Sequence, residues 1–170
     1  MAKKQILVGV VMGSDSDLST MRRCMDQLEE LGIGYEVRII SAHRTPDVAH
    51  EYAATAAQRG LKVIIAGAGM SAALAGVIAS KTTLPVIGVP MSSLPLVGVD
   101  AALSTMQMPL GVPVACMSIG GTGAVNAAIY AAQIMALSDK RLSAALSRFK
   151  RAQARKVIEK DAALRQNRNQ

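Results

Sequence analysis

The stretch Gln5–Asp17, QILVGVVMGSDSD, decides the fold. After Gln5 its residues through Met12 are apolar on both alternating faces and rich in β-branched side chains. A strand with that pattern is buried on both sides, as in the middle of a parallel sheet. Gly13-Ser14-Asp15-Ser16-Asp17 then turns into a helix predicted to run to about Leu31, with Met21, Cys24, Met25, Leu28 and Leu31 near one stripe. Gly32 and Gly34 end it.

The same alternation repeats along the chain. Strands are predicted at Tyr35–Ile40, Val63–Ala66, Pro85–Val89 and Val112–Met117. A helix opens at Pro46, with Thr45 as its cap, and ends at Gly60. Further helices are predicted over Ser71–Lys81, Ala101–Met106, Ala124–Leu137 and from near Asp139 to about Arg165. Pro90–Val99 reads as an irregular loop. Five strands alternating with helices give an α/β fold, a flavodoxin-like three-layer α/β/α arrangement around a parallel sheet. Right-handed crossovers leave few topologies, and the order 2-1-3-4-5 is the natural one. The length of 170 residues fits a single domain, with its core over about 5–137 and a helical extension over about 139–166.

Composition narrows the function. The net charge of +7 invites a nucleic-acid reading. Residues 1–138 hold nine Lys/Arg and nine Asp/Glu, whereas residues 139–170 hold ten and three, so the tail carries all of the excess. One Phe, three Tyr and no Trp leave almost no stacking platforms for single strands. No nucleic-acid partner is expected. No apolar run reaches membrane-spanning length, so no membrane partner is expected either. The apolar run after the two N-terminal lysines is too short and too β-branched for a secretion signal, which points to the cytoplasm. Cys24 and Cys116 stand far apart outside any paired motif and read as free buried thiols.

In an open parallel sheet, ligands bind beyond the carboxyl ends of the strands, where the winding reverses. For the order 2-1-3-4-5 that point lies between the first and third strands. The loops that meet there are Gly13–Asp17, Ser41-Ala42-His43-Arg44 and Gly67-Ala68-Gly69-Met70-Ser71. The first offers backbone amides at a helix start, the Ser14 hydroxyl, and Asp17, able to accept bonds from two sugar hydroxyls. The competing reading makes Ser14 or Ser16 a cap and Asp17 a partner of the helix dipole. In the second loop, Arg44 has the forked geometry that suits phosphate, and His43 can carry a proton near neutral pH. The competing role of His43 is a loop-bracing hydrogen bond. His50 falls mid-helix and reads as a surface or packing residue. The third loop lets backbone approach a flat ligand closely, but it lacks the dinucleotide spacing, since position 72 is Ala. No Walker loop and no His/Cys cluster occur, so no nucleotide cofactor and no metal are expected.

VMGSDSD (Val11–Asp17), SAHRTPD (Ser41–Asp47), VIIAGAG (Val63–Gly69), LPVIGVP (Leu84–Pro90), MQMPLGVPVA (Met106–Ala115) and GAVNAAIYAAQI (Gly123–Ile134) together resemble the N5-carboxyaminoimidazole ribonucleotide mutases. That family is also known as the catalytic subunit of phosphoribosylaminoimidazole carboxylase. The resemblance covers about Ile6 to Leu137. It implies a flavodoxin-like subunit in a homo-octamer, no cofactor, and a purine-biosynthetic reaction that moves a carboxylate from the exocyclic nitrogen to the ring carbon of aminoimidazole ribonucleotide. It implies a functional link to the ATP-dependent synthetase that makes the carbamate substrate. It implies His43 as proton carrier, Ser14 and Asp17 as substrate ligands, Ser41 and Arg44 on the phosphate, and Gly67, Ala68 and Gly69 as the wall beside the imidazole. Two alternatives remain: a direct carboxylase using carbon dioxide, and a ribonucleotide-binding paralogue without catalysis. The chain departs from the family's usual pattern in three places. Met70 stands where a glycine is usual, Ala73 where a second histidine is usual, and Gly121 where a lysine is often found.

Overall fold

A computed structural model describes residues 5–168. Strand β1 (Ile6–Met12) is central; β2 (Gly34–Ile39) lies on one side, and β3 (Val63–Ala68), β4 (Val86–Pro90) and β5 (Ala115–Cys116) follow on the other. The order is 2-1-3-4-5 and every pair is parallel, as expected from the alternating pattern. The helices are α1 (Leu18–Glu30), α2 (Pro46–Ala56), α3 (Leu74–Ala79), α4 (Val99–Met106), α5 (Gly121–Ala136) and α6 (Lys140–Arg168).

Helices cover both faces of the sheet. On one face, Val11, Ile40, Ile64 and Ala66 pack with Ala49, Tyr52 and Ala53 of α2 and with Leu74, Ala75 and Ile78 of α3. On the other, α1 buries Met21, Cys24, Met25 and Leu28. Each Val, Leu, Ile or Met among them contributes about 1.5–3 kcal/mol when fully removed from water. Gly67 alternates with Ala66 and so faces α1, where a Cβ would overlap Met21 and Met91. Its missing side chain is what lets those methionines close over the end of β3.

Register sets the site. Met12 pairs with Ile39 on one side and Gly67 on the other, and Ala68 pairs with Pro90. The carboxyl ends of β2, β1, β3 and β4 therefore finish level at one rim.

Several boundaries differ from expectation for identifiable reasons. Strand β3 continues through Gly67 and Ala68, because these small residues still find ladder partners in β4. Helix α3 starts only at Leu74, since Met70–Ala73 is spent on tight turns, Ala72 N–H bonding Met70 O and Ala73 N–H bonding Ser71 O. Strand β5 shrinks to two residues beside Pro113, which has no N–H to donate. Asp15–Asp17 form a short 3₁₀ turn before α1. Thr45 stands at the cap position of α2, but its hydroxyl bonds back to Ser41 O instead of capping the helix. Cys24 is buried, and burial pushes its thiol up to about 12. Cys116 is only partly buried, so one of the two expected buried thiols is not so placed.

The chain divides into one compact unit through Ala131 and another from Ala132. In the second unit the Asp139 carboxylate caps α6, accepting from the Arg141 and Leu142 amides at 2.8 and 3.1 Å. Residues 1–4, where the sequence argues against a secretion signal, lie outside the described residues.

Candidate active site

A cavity of about 470 Å³ opens at the rim where β1, β2 and β3 end. Of the residues singled out in the sequence, Ser14, Asp17, Ser41, His43, Arg44, Ala68 and Gly69 all line it. Gly67 does not. It sits within β3, and its carbonyl accepts the Gly13 amide at 3.1 Å, which ties the first loop to the third strand. Met70, Ser71, Ala73, Leu74 and Ser93 complete the β3–β4 side.

The first loop is built on its own hydrogen bonds. Ser14 caps the 3₁₀ turn by accepting the Ser16 amide at 3.3 Å, and the Asp17 amide bonds Ser14 O at 3.2 Å. The amides expected to be free for an anion are thus partly used: those of Ser16 and Asp17 already have partners. Asp17 makes no capping bond to α1. Burial raises its carboxyl above the ordinary value, the polar groups of Ser14 and Ser16 act against this, and the neighbouring Asp15 charge adds to it. A half-buried carboxylate aimed at a cavity without a cationic partner suits neutral hydrogen-bond donors such as sugar hydroxyls.

The second loop is braced to the first. Thr45 and Ser41 bond each other, with the Ser41 amide on Thr45 Oγ1 at 3.1 Å and the Thr45 hydroxyl on Ser41 O at 2.9 Å. The Ser41 hydroxyl accepts the Arg44 amide at 3.2 Å and Arg44 Nε at 3.3 Å. Arg44 Nη2 reaches across 31 residues of sequence to Gly13 O at 3.1 Å. The guanidinium is thereby fixed in orientation while its Nη1 face keeps donors for a bidentate anion. The His43 ring is exposed and has no hydrogen bond to any described residue, which removes the loop-bracing role weighed from the sequence. His50 is half-buried on α2, outside the cavity, consistent with a packing role.

The third loop is different in kind. Met70 has φ +55°, a left-handed backbone that side-chain-bearing residues avoid, and it is 58 % exposed at the cavity mouth. This is the position where the family pattern puts glycine. Ala73, where the pattern puts histidine, lines the cavity without a polar group. Ser93, in the loop after β4, was not legible as a site residue, since an irregular loop gives no periodicity. The β3–β4 pairing, predictable from topology, is the signal that places it beside Gly69.

Among the described residues no cluster of three or more His, Cys, Asp or Glu could hold a metal ion. Nor is any helix of the described residues long and apolar enough to cross a membrane.

Comparison with known proteins gives one consistent result. A family model described as AIR carboxylase matches residues 7–156. The N5-carboxyaminoimidazole ribonucleotide mutase of Bacillus subtilis is 54 % identical over 155 residues, covering 91 % of this chain and 96 % of that protein. The mutase of Pyrococcus horikoshii is 51 % identical over 160 residues, covering 94 % and 89 %. Among solved structures, Treponema denticola PurE superposes with a TM-score of 0.81 at 33 % identity, covering 93 % of this chain and 98 % of that one.

Proposed function

Because the chain belongs to the AIR carboxylase family, we propose that it is a purine-biosynthetic mutase, an isomerase that moves a carboxylate from the exocyclic nitrogen to the ring carbon of aminoimidazole ribonucleotide. The observation that carries this reading is that His43, Arg44, Ser41, Ser14 and Asp17 all open onto one shared cavity.

The chemistry follows from the parts. Arg44, oriented by Ser41 and Gly13 O, takes the phosphate with the Ser41 hydroxyl beside it. Asp17 and Ser14 take the sugar hydroxyls. Ala68 and Gly69 form the wall for the flat imidazole, with Gly67 supporting them from within β3. The carbamate nitrogen accepts a proton from His43, the N–C bond breaks, and carbon dioxide is released inside the site. The electron-rich ring carbon adds to that carbon dioxide, and His43 takes back the proton that this carbon loses. Atoms and charge balance over the cycle, and His43 returns to its starting state. Holding carbon dioxide beside the ring carbon turns a bimolecular addition into a local one.

The chain acts in this reading as a homo-octamer in the cytoplasm, downstream of an ATP-dependent synthetase that makes the labile carbamate. An exposed apolar run supports self-association: Leu94 is 81 % and Val97 59 % exposed, with Leu96, Val99, Leu103 and Met106 also open. Light scattering should find a large assembly, and a monomer would contradict it.

A direct carboxylase is the second reading, left open because Ala73 departs from the mutase pattern. A turnover assay separates the two. The mutase converts the carbamate ribonucleotide without added bicarbonate, whereas a carboxylase converts the uncarboxylated ribonucleotide at a rate that rises with bicarbonate. Ligand binding with no turnover of either would leave the non-catalytic paralogue.

A further inference from the structure

The β4 side of the cavity carries a polar group that the reaction above does not use. Ser93 lines the cavity, and its hydroxyl oxygen is buried without a hydrogen-bond partner among the described residues. It lies 3.1 Å from the point where a Cβ on Gly69 would stand, beside the wall assigned to the imidazole. A buried hydroxyl left unpaired is costly, and native proteins seldom keep one without a use.

Its surroundings define what it could hold. Ala68, Gly69, Ala73 and Leu74 offer no side-chain donor, and the Ser71 side chain is exposed to water. Ser93 is thus the buried side-chain donor on this side. His43 and Arg44 reach in from β2, three strand spacings away, or about 14 Å between strand axes. A ligand anchored at Arg44 presents its far end towards β4. There the group that most needs a donor is the migrating carboxylate, which has the proton carrier on one side and bare wall on the other.

We propose that Ser93 is a specificity-determining residue whose hydroxyl donates a hydrogen bond to the carboxylate of the carboxylated ribonucleotide. The inference rests on the site reading given above. Delivery takes one hop between staggered χ1 positions, a motion serines make readily. It deepens that reading by dividing the cavity into an anchoring side on β1–β2 and a carboxylate-sensing side on β4.

The test compares two ligands on the full-length protein: aminoimidazole ribonucleotide and its ring-carboxylated form. In Ser93→Ala, affinity for the carboxylated ligand should fall about ten- to hundred-fold, the effect of losing a hydrogen bond to a charged group. Affinity for the uncarboxylated ligand should stay within about two-fold, as for a group that touches neither phosphate nor sugar. The melting temperature of the ligand-free protein should hold or rise, because an unpaired hydroxyl has been removed. Ser93→Cys, of similar size but a weak donor, should show the same selective loss and guards against an alanine variant that folds poorly. Equal weakening of both ligands, unchanged affinity for the carboxylated one, or a clear drop in ligand-free melting temperature would each overturn the proposal. If the unaltered protein binds neither ligand, the site reading itself fails and this proposal goes with it.

Discussion

The two halves of the cavity are built on opposite plans. On the β1–β2 side the polar side chains at the rim other than His43 and Asp17 are engaged or oriented: Ser14 caps its turn, Thr45 and Ser41 clasp each other, and Arg44 spans to Gly13 O. On the β3–β4 side the backbone is strained at Met70, whose φ is +55°. There the Ser93 hydroxyl has no partner. A preorganised half suits the parts of a ligand that never change, its phosphate and sugar. A half with strain and spare polar capacity suits the part that is made and broken. Preorganisation lowers the ordering cost of binding, and strain persists only where the surrounding fold holds it.

His43→Asn breaks this comparison most severely, because it removes the one imidazole that lines the cavity. Turnover should fall about 10²–10⁴-fold, the usual contribution of a positioned acid–base group, while substrate affinity changes little. Single-turnover kinetics beside a binding titration checks both, and retained turnover would dismiss His43 as the carrier. Arg44→Ala comes next. It deletes the guanidinium proposed to hold the phosphate and unties the second loop from the first, so substrate Kd should rise about ten- to hundred-fold. Inorganic phosphate should lose its competition with substrate in the same variant, and an unchanged Kd would sink the phosphate role.

How far each half could be read from the sequence follows the same division. The alternation from QILVGVVM onward fixes strand count and order, and topology then brings the first three loops together, so the sequence pattern alone gathers His43, Arg44, Ser14 and Asp17 at one rim. What the sequence hid was bonding and backbone. The Arg44–Gly13 bridge joins groups 31 residues apart, and nothing local encodes it. Gly67 looked like loop because glycine usually signals a turn, yet its lack of a side chain serves packing beneath Met21 and Met91 inside a strand. Ser93 sits in a loop with no periodicity, and only the neighbouring positions of β3 and β4 bring it to the cavity.

Asp17→Asn sharpens the contrast on the anchoring side. The folded carboxyl holds its proton more tightly than the unfolded one, chiefly because burial disfavours the charged form. The unfolded state therefore ionises first as pH rises. This group's contribution to stability is present at low pH and is lost as pH climbs through the folded pKa. At neutral pH the ionised Asp17 thus costs stability, and asparagine should relieve it. Ligand-free Asp17→Asn should unfold at higher denaturant concentration than the unaltered protein at pH 7, with the gap closing in acid. Substrate affinity should fall in the same variant, since the amide offers one acceptor oxygen where the carboxylate offers two. A stability gap that does not depend on pH would show that the carboxyl is not held up by burial.

The smallest effect is expected on the β3–β4 side, from Met70→Gly. A left-handed backbone costs a side-chain-bearing residue about 1–2 kcal/mol, and glycine escapes that cost while losing about 0.5–1 kcal/mol to its greater freedom when unfolded. The net gain is then about 1 kcal/mol or less, or a rise of about 2–4 °C per kcal/mol in a chain of this size. Met70 is more than half exposed, so little packing is lost to offset the gain. If Met70 strain only reflects drift from the glycine pattern, the variant should be more stable and turn over as before. If the strain holds the carboxylate-sensing half in shape, the variant should gain stability and lose turnover together, with phosphate competition unchanged because Arg44 and Ser41 are untouched. A variant less stable than the unaltered protein would show that the left-handed turn at Met70 is not strained, and the division of the cavity into a relaxed and a strained half would have to be given up.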